Sequence, residues 1–312
     1  MTAGGLTRRG LLGGLAGLAA GAAGAEAPLT SPRAPRRPER SGSGAPFKAA
    51  PPDARVTAAQ VEDLIAEAKL GGDVTFLVAD AKTGLILEAR GAARPMPPAS
   101  TAKAITSLYA LAQLGRDHRF VTRVLATGPL TDGQLDGDLI LAGGADPVLN
   151  SDDLGDMVAT LRARGLREVT GRFLVWGGAL AYLARIDRDQ PDYLGYNPCL
   201  SGMNLNFNRV NFTWAKAGTE FRLGMDARGE RYVPEVGVVG VQVADRDQPV
   251  FTYDGTGPRE MWTVARSALN KEGSRWLPVR RPEVYAGDVF RALAAAQGIR
   301  LEARPGGPFA KR

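Results

Sequence analysis

Ser100-Thr101-Ala102-Lys103 is the only Ser-x-x-Lys in this chain, and its surroundings fix where it must sit. Pro97-Pro98 lead into it, and Ile105, Leu108, Tyr109 and Ala112 follow at i, i+3, i+4 and i+7. Proline suits the first turn of a helix, and Gly115 supplies a stop. The spacing predicts a helix with one buried apolar stripe. Ser100 lies in its first turn and Lys103 one turn on, on the same face. A lysine held against a serine can take its proton when burial or a second cation keeps the amine neutral. The helix N-terminus adds donors and partial positive charge that favour an oxyanion. Ser100 is therefore the candidate nucleophile and Lys103 its candidate general base. The tetrapeptide alone also reads as a helix start followed by a solvated charge, so its context decides.

The chain has 312 residues, 44% hydrophobic and 23% charged, which suits about two globular domains. Its net charge is +6, but the basic residues are scattered and no nucleic-acid motif accompanies them. That argues against a nucleic-acid partner and is compatible with an anionic polymer such as the cell wall. Residues 1–25 read as a twin-arginine signal peptide. Arg8-Arg9 open it, an apolar Gly- and Ala-rich run follows from Leu11 to Ala23, and Ala23-Gly24-Ala25 fits a small-x-small cleavage site. Residues 26–55 carry seven prolines and many Arg, Ser and Gly, as a disordered linker does. The expected location is the periplasm. Cys199 is the only cysteine and His118 the only histidine, so neither an intrachain disulfide nor a Cys- or His-cluster metal site can form. No cofactor is expected. His118, between Asp117 and Arg119 past the helix end, reads as a surface residue rather than a catalytic base.

Along the sequence, 56–70 reads as a short amphipathic helix, and 73–79 and 84–89 as a β-hairpin around Asp80-Ala81-Lys82-Thr83. Lys82-Thr83-Gly84 is read as turn chemistry. From about 120 to 270 strand signals dominate, at Phe120–Ala126, Leu139–Ala142, Arg172–Trp176, Asn206–Trp214 and Val236–Val243. Asp152–Arg164 is expected to be a helix capped by Ser151 or Asp152. A last helix is expected from Pro282 to Gln297, with Gly298 as its stop.

Several of these stretches resemble one family. Pro98-Ala99-Ser100-Thr101-Ala102-Lys103 is similar to its Pro-Ala-Ser-x-x-Lys, and Leu114-Gly115-Arg116-Asp117-His118-Arg119-Phe120 to the segment that follows. Gly137 through Leu149 resembles its Gly-Asp-Leu-x-Leu-x-Gly-Gly-x-Asp-Pro signature, and 165–171 and 204–208 match weaker patterns. The family is that of the D-alanyl-D-alanine carboxypeptidase/endopeptidases, the class C low-molecular-mass penicillin-binding proteins. The resemblance runs from about 56 to 301. It implies an α/β (α+β) penicillin-recognising, serine transpeptidase-like domain with a large strand-rich insertion. It also implies cleavage of peptidoglycan stem peptides ending in D-Ala-D-Ala through an acyl-serine on Ser100, and β-lactams as acylating inhibitors.

The expected domains are 56–119, the N-terminal part of the penicillin-recognising domain; 120–270, the insertion; and 271–312, a return to the first domain. The family also has a Ser-x-Asn and a Lys-Thr-Gly motif after the insertion. This sequence has no Ser-x-Asn, and its one Lys-Thr-Gly precedes Ser100. The catalytic domain is therefore expected to be incomplete, truncated at its C-terminal end and catalytically poor alone. The apolar faces of the helices at 100–114 and 282–297 are expected to be uncovered. A non-catalytic peptidoglycan-binding remnant is the alternative, and a β-lactamase or esterase on the same fold a third reading.

Overall fold

The structure is a computed structural model, and it describes residues 58–301. The expected signal peptide at 1–25, the linker at 26–55 and the tail from 302 lie outside the described residues. The described residues fall into two compact units, one ending at His118 and one beginning at Arg119.

The first unit holds helix α1 (Ala58–Glu67), strands β1 (Phe76–Ala79) and β2 (Ile86–Arg90), a 3-10 turn at Ala99–Thr101 and helix α2 (Ala102–Leu114). β1 and β2 pair antiparallel, Phe76 opposite Arg90, as the hairpin pattern predicts. Their connection is an Asx turn. One Asp80 carboxylate oxygen accepts from the backbone N–H groups of Lys82 and Thr83 at 3.0 and 2.7 Å and from the Thr83 hydroxyl at 2.7 Å. These bonds, the Thr83 hydroxyl first, hold the Asp80 carboxyl below its ordinary range. Gly84 closes the turn with φ 72°, so Lys82-Thr83-Gly84 is a turn here and not an active-site strand.

The expected buried stripe of α2 is not buried. Ile105, Leu108 and Tyr109 are 73, 68 and 56% exposed, and none of residues 61–118 is buried. Two helices and one hairpin offer too little apolar surface to cover that face.

The second unit runs through β3 (Arg123–Ala126), β4 (Leu130–Thr131), β5 (Gln134–Leu135), β6 (Leu139–Ala142), α3 (Ser151–Ala163), β7 (Glu168–Val169), β8 (Phe173–Trp176), β9 (Arg209–Ala217) and β10 (Glu220–Asp226). It continues with β11 (Val239–Ala244), β12 (Phe251–Asp254), β13 (Glu260–Ala265), β14 (Glu272–Pro278), α4 (Pro282–Ala296) and β15 (Arg300–Leu301). The sheet orders are β3-β6-β8, β15-β7-β5-β4, β10-β9-β14 and β11-β13-β12. β6 alternates buried Leu139 and Leu141 toward a core that also holds Leu154, Val158, Phe212, Leu277, Val289 and Phe290.

Three expectations change. The cap of α3 is Asn150, not Ser151 or Asp152. Its side chain accepts from the N–H groups of Asp152 and Asp153 at 2.8 and 3.1 Å, and the Asp153 carboxylate accepts from the Asn150 N–H at 3.0 Å. Ser151 instead donates its hydroxyl to the Ala227 carbonyl at 2.7 Å. Second, the segment expected to return to the first domain from 271 is built into the second unit. β14 pairs with β9, β15 with β7, and α4 packs on α3 and β8. Third, α4 is therefore covered: Tyr285, Ala286, Val289, Phe290 and Leu293 are all buried, and Phe290 stacks on Phe173 with centroids 5.1 Å apart. Pro282 starts α4 and Gly298, at φ 72°, ends it, as the punctuation predicts.

Candidate active site

Ser100 is positioned by local backbone chemistry. Ala99 is left-handed, with φ 46°, an uncommon and costly conformation for a residue with a Cβ. It swings the backbone from Pro97-Pro98 into the 3-10 turn that carries Ser100, and α2 continues from Ala102. The Thr101 N–H donates to the Pro98 carbonyl at 3.0 Å, and the Thr101 hydroxyl donates to the same oxygen. Gly115, at φ 81°, ends the helix, and its N–H still donates to the Leu111 carbonyl at 3.0 Å.

This brings the two predicted residues together. Lys103 Nζ donates to Ser100 Oγ at 2.9 Å. The same contact lets a neutral amine accept the serine proton. Both residues are exposed. The N–H groups of Thr101 and Ala102 are already bonded to the carbonyls of Pro98 and Ala99, so these two are not free for an oxyanion. The helix start thus brings the Ser100 hydroxyl and the Lys103 amine into direct contact, with both side chains exposed among the described residues. Among the described residues, no group of three or more His, Cys, Asp or Glu side chains is placed to hold a metal ion.

The second unit also contains a buried polar centre around Glu260 and Arg280, two residues that sequence patterns did not single out. Glu260 is 2% exposed; its carboxylate accepts from the N–H groups of Arg280 and Arg281, both at 2.8 Å, and from the Tyr253 hydroxyl at 3.0 Å. Burial pushes its carboxyl up. The Arg280 guanidinium donates to the carbonyls of Ala184, Asn197 and Asp192 at 2.7–2.9 Å. Cys199 is free and buried, and burial raises its thiol. The signature loop at 143–149 runs against 202–206: Ala145 N–H donates to the Gly202 carbonyl at 2.8 Å, and Asn206 N–H to the Leu149 carbonyl at 2.9 Å. A Cβ on Gly143 would lie 2.3 Å from the Gly202 carbonyl oxygen, which explains that glycine. The advance signals for these loops are the signature at 137–149 and the weaker pattern at 204–208; nothing local in the sequence marked Glu260 or Arg280.

Residues 57–305 match the D-Ala-D-Ala carboxypeptidase 3 (S13) family. The protein is similar to a D-alanyl-D-alanine carboxypeptidase of Actinomadura sp. (strain R39), 37% identical over 36% of this chain and 21% of that protein. It is also similar to D-alanyl-D-alanine carboxypeptidase DacB of Haemophilus influenzae, 30% identical over 36% of this chain and 23% of that protein. The crystal structure of penicillin binding protein 4 (dacB) from Haemophilus influenzae matches with TM-score 0.57 and 21% identity, over 78% of this chain and 55% of that one. A second structure of that protein, complexed with a novel β-lactam, matches with TM-score 0.52 and 20% identity, over 79% and 56%. These likenesses show a mixed α/β fold of the penicillin-recognising kind. The chain spans about half the length of the solved structures it matches, and the aligned stretches about a fifth of the curated relatives. With four fifths of its length inside one family pattern, the chain belongs to the D-Ala-D-Ala carboxypeptidase 3 (S13) family.

Proposed function

We propose that Ser100 is the nucleophile and Lys103 the general base of a serine-type D-Ala-D-Ala carboxypeptidase/endopeptidase acting on peptidoglycan stem peptides in the periplasm. The observation that carries this reading is the 2.9 Å contact between Lys103 Nζ and Ser100 Oγ at the start of α2, inside a chain of this family. In the first step the neutral amine takes the Ser100 proton while Oγ bonds to the scissile carbonyl carbon. The C–N bond then breaks, and the departing D-Ala amine receives that proton. Water hydrolyses the resulting ester and regenerates Ser100. A β-lactam, whose ring amide takes the place of the scissile bond, acylates the same oxygen.

A second reading has its own support. Ser100 and Lys103 are exposed and no residue of 61–118 is buried. The sequence has no Ser-x-Asn, and its Lys-Thr-Gly forms a turn. A non-catalytic peptidoglycan-binding role fits these facts. Full reactivity at Ser100 is therefore proposed only where further groups line the other side of the cleft. The experiment is labelling by fluorescent penicillin of two proteins, the 312-residue chain and the same chain extended by the C-terminal segment of a full-length relative. Catalysis predicts a strong band in the extended protein that Ser100→Ala abolishes, and a weak or absent band in the shorter one. No Ser100-dependent band from a folded extended protein leaves the binding role as the better reading.

A further inference from the structure

The strongest local anomaly of the second unit lies at the start of β9. Asn206, Phe207 and Asn208 are all left-handed, with φ of 49, 59 and 50°. Asparagine tolerates this conformation; phenylalanine has no chemistry that does. The two asparagines lock it in place. Asn206 donates to the Ser151 hydroxyl at 2.9 Å and the Tyr285 hydroxyl at 3.3 Å. Asn208 donates to the Cys199 carbonyl at 3.0 Å and to Asn204 Oδ1 at 2.8 Å. Phe207 gains no burial in exchange, since it is 52% exposed.

What the strained turn does is set the Phe207 ring against Arg209. The guanidinium carbon of Arg209 lies 4.9 Å from the Phe207 centroid and 5.2 Å from that of Trp276. Arg209 Nε is buried and has no acceptor. Burial lowers the pKa of this guanidinium, and no carboxylate contributes to offset it. Asp226, on the same face of the β10-β9-β14 sheet, is already engaged by Asn211 and Arg228. Arg172, Arg231 and Arg266 are each paired with a carboxylate, Asp138, Asp156 and Asp245, whereas Arg275 also lies over two rings, Tyr193 and Phe251, but has no orphaned buried nitrogen. Arg291 also has an orphaned Nε, but its ring neighbour Phe173 is a core residue, so that contact is packing.

We propose that Phe207, Arg209 and Trp276 form a binding site for a carboxylate on the stem peptide of peptidoglycan, independent of Ser100. The identity of the polymer rests on the proposed function. A guanidinium steadied by two rings, with Nε enclosed, keeps its terminal Nη1/Nη2 edge for an acceptor, and a planar carboxylate matches that edge with two parallel bonds. The exposed Phe207 ring offers apolar contact to an aliphatic segment next to that carboxylate. Stem peptides provide this, with carboxylates along an aliphatic backbone. One cation between two rings suits this monoanion better than a polyphosphate, which calls for several cations.

The test is calorimetric titration of the 312-residue chain with L-alanyl-γ-D-glutamyl-L-lysinamide. Its one carboxylate is that of the glutamyl residue, and it lacks D-Ala-D-Ala, so it cannot be cleaved. Saturable binding is expected in the natural protein and equally in Ser100→Ala. Arg209→Lys, which keeps the charge and loses the planar edge, should bind about tenfold more weakly or worse. Phe207→Gly should lose a comparable factor while its melting temperature holds or rises, because glycine adopts the left-handed turn without strain. The glutamyl amide should not bind. The proposal is overturned by absent binding, by unchanged binding in Arg209→Lys and Phe207→Gly, by loss of binding in Ser100→Ala, or by hippurate binding as well as the tripeptide. A failure of penicillin labelling leaves this test standing, because the probe never engages Ser100 chemistry.

Discussion

Lys103 Nζ lies 2.9 Å from Ser100 Oγ, one helical turn along the same face of α2, and both residues are exposed. The proximity is local, set by Pro97-Pro98, the left-handed Ala99 and the helix that follows. The environment is not local, because it needs other segments to exclude water and supply donors. Each side of that division can be tested separately.

Lys103→Arg tests the base. Arginine preserves the positive charge and much of the reach but stays protonated, so it cannot accept the serine proton. In a protein extended by a relative's C-terminal segment, the second-order rate of Ser100 acylation by penicillin should fall roughly a hundredfold or more, the usual worth of a positioned general base. Stopped-flow or gel-based labelling measures it. Near-normal acylation would assign the proton to another residue.

The two long apolar helices should respond in opposite ways to substitution. Phe290 on α4 is 1% exposed and stacked on Phe173, so Phe290→Ala should destabilise the second unit by about 3–5 kcal/mol. Ile105 and Leu108 on α2 are 73 and 68% exposed, so Ile105→Gln with Leu108→Gln should change stability by no more than about 0.5 kcal/mol each. The same pair should lower aggregation and dye binding by removing an exposed apolar patch. Urea unfolding and static light scattering separate the effects. A large loss of stability on changing α2 would show that its stripe is covered in solution.

Asp152 links α3 to the loop after β10. Its carboxylate accepts from the N–H groups of Glu230, Arg231 and Tyr232 at 2.9–3.0 Å. Burial raises its carboxyl, but those three bonds and the Arg231 charge outweigh it, so its pKa lies below 3.8. A lowered folded-state value means that the stabilisation is fully present above pH 3.8 and is lost as pH falls through the folded value. Asp152→Ala should cost about 1–2 kcal/mol at neutral pH. Its stability deficit relative to the natural protein should shrink below pH 3.8. Asp152→Asn keeps the oxygen that serves Arg231 and Tyr232 and should lose less. A deficit independent of pH would mean that the ionised carboxylate is not what holds the loop.

Residues 1–25 carry a separate prediction about export. We propose that Arg8-Arg9, the apolar stretch after them and Ala23-Gly24-Ala25 direct twin-arginine export with cleavage after Ala25. Mass spectrometry of the protein from a periplasmic extract should find an N-terminus at Glu26. A protein that keeps Met1, or that fractionates with the cytoplasm, would contradict it.

Punctuation and short spacing were legible from the residues alone. Pro97-Pro98 and Gly115 bracket α2, Pro282 and Gly298 bracket α4, and Asp80 with Gly84 makes the hairpin turn, because each acts within a few residues of itself. The same locality put Ser100 and Lys103 on one turn. Tertiary structure alone decided which apolar stripe is covered. A helical period says that a face seeks burial, not which segment supplies the cover; α4 found α3 and β8, whereas the stripe of α2 stays exposed among the described residues. It also moved the cap of α3 to Asn150, since Ser151 and Asp152 are drawn to partners at 227 and 230–232 that no local pattern reveals. The left-handed run at 206–208 was decided the same way. Its asparagine side chains bond to residues between 3 and 79 positions away, and those bonds together override the strand propensity of Phe207.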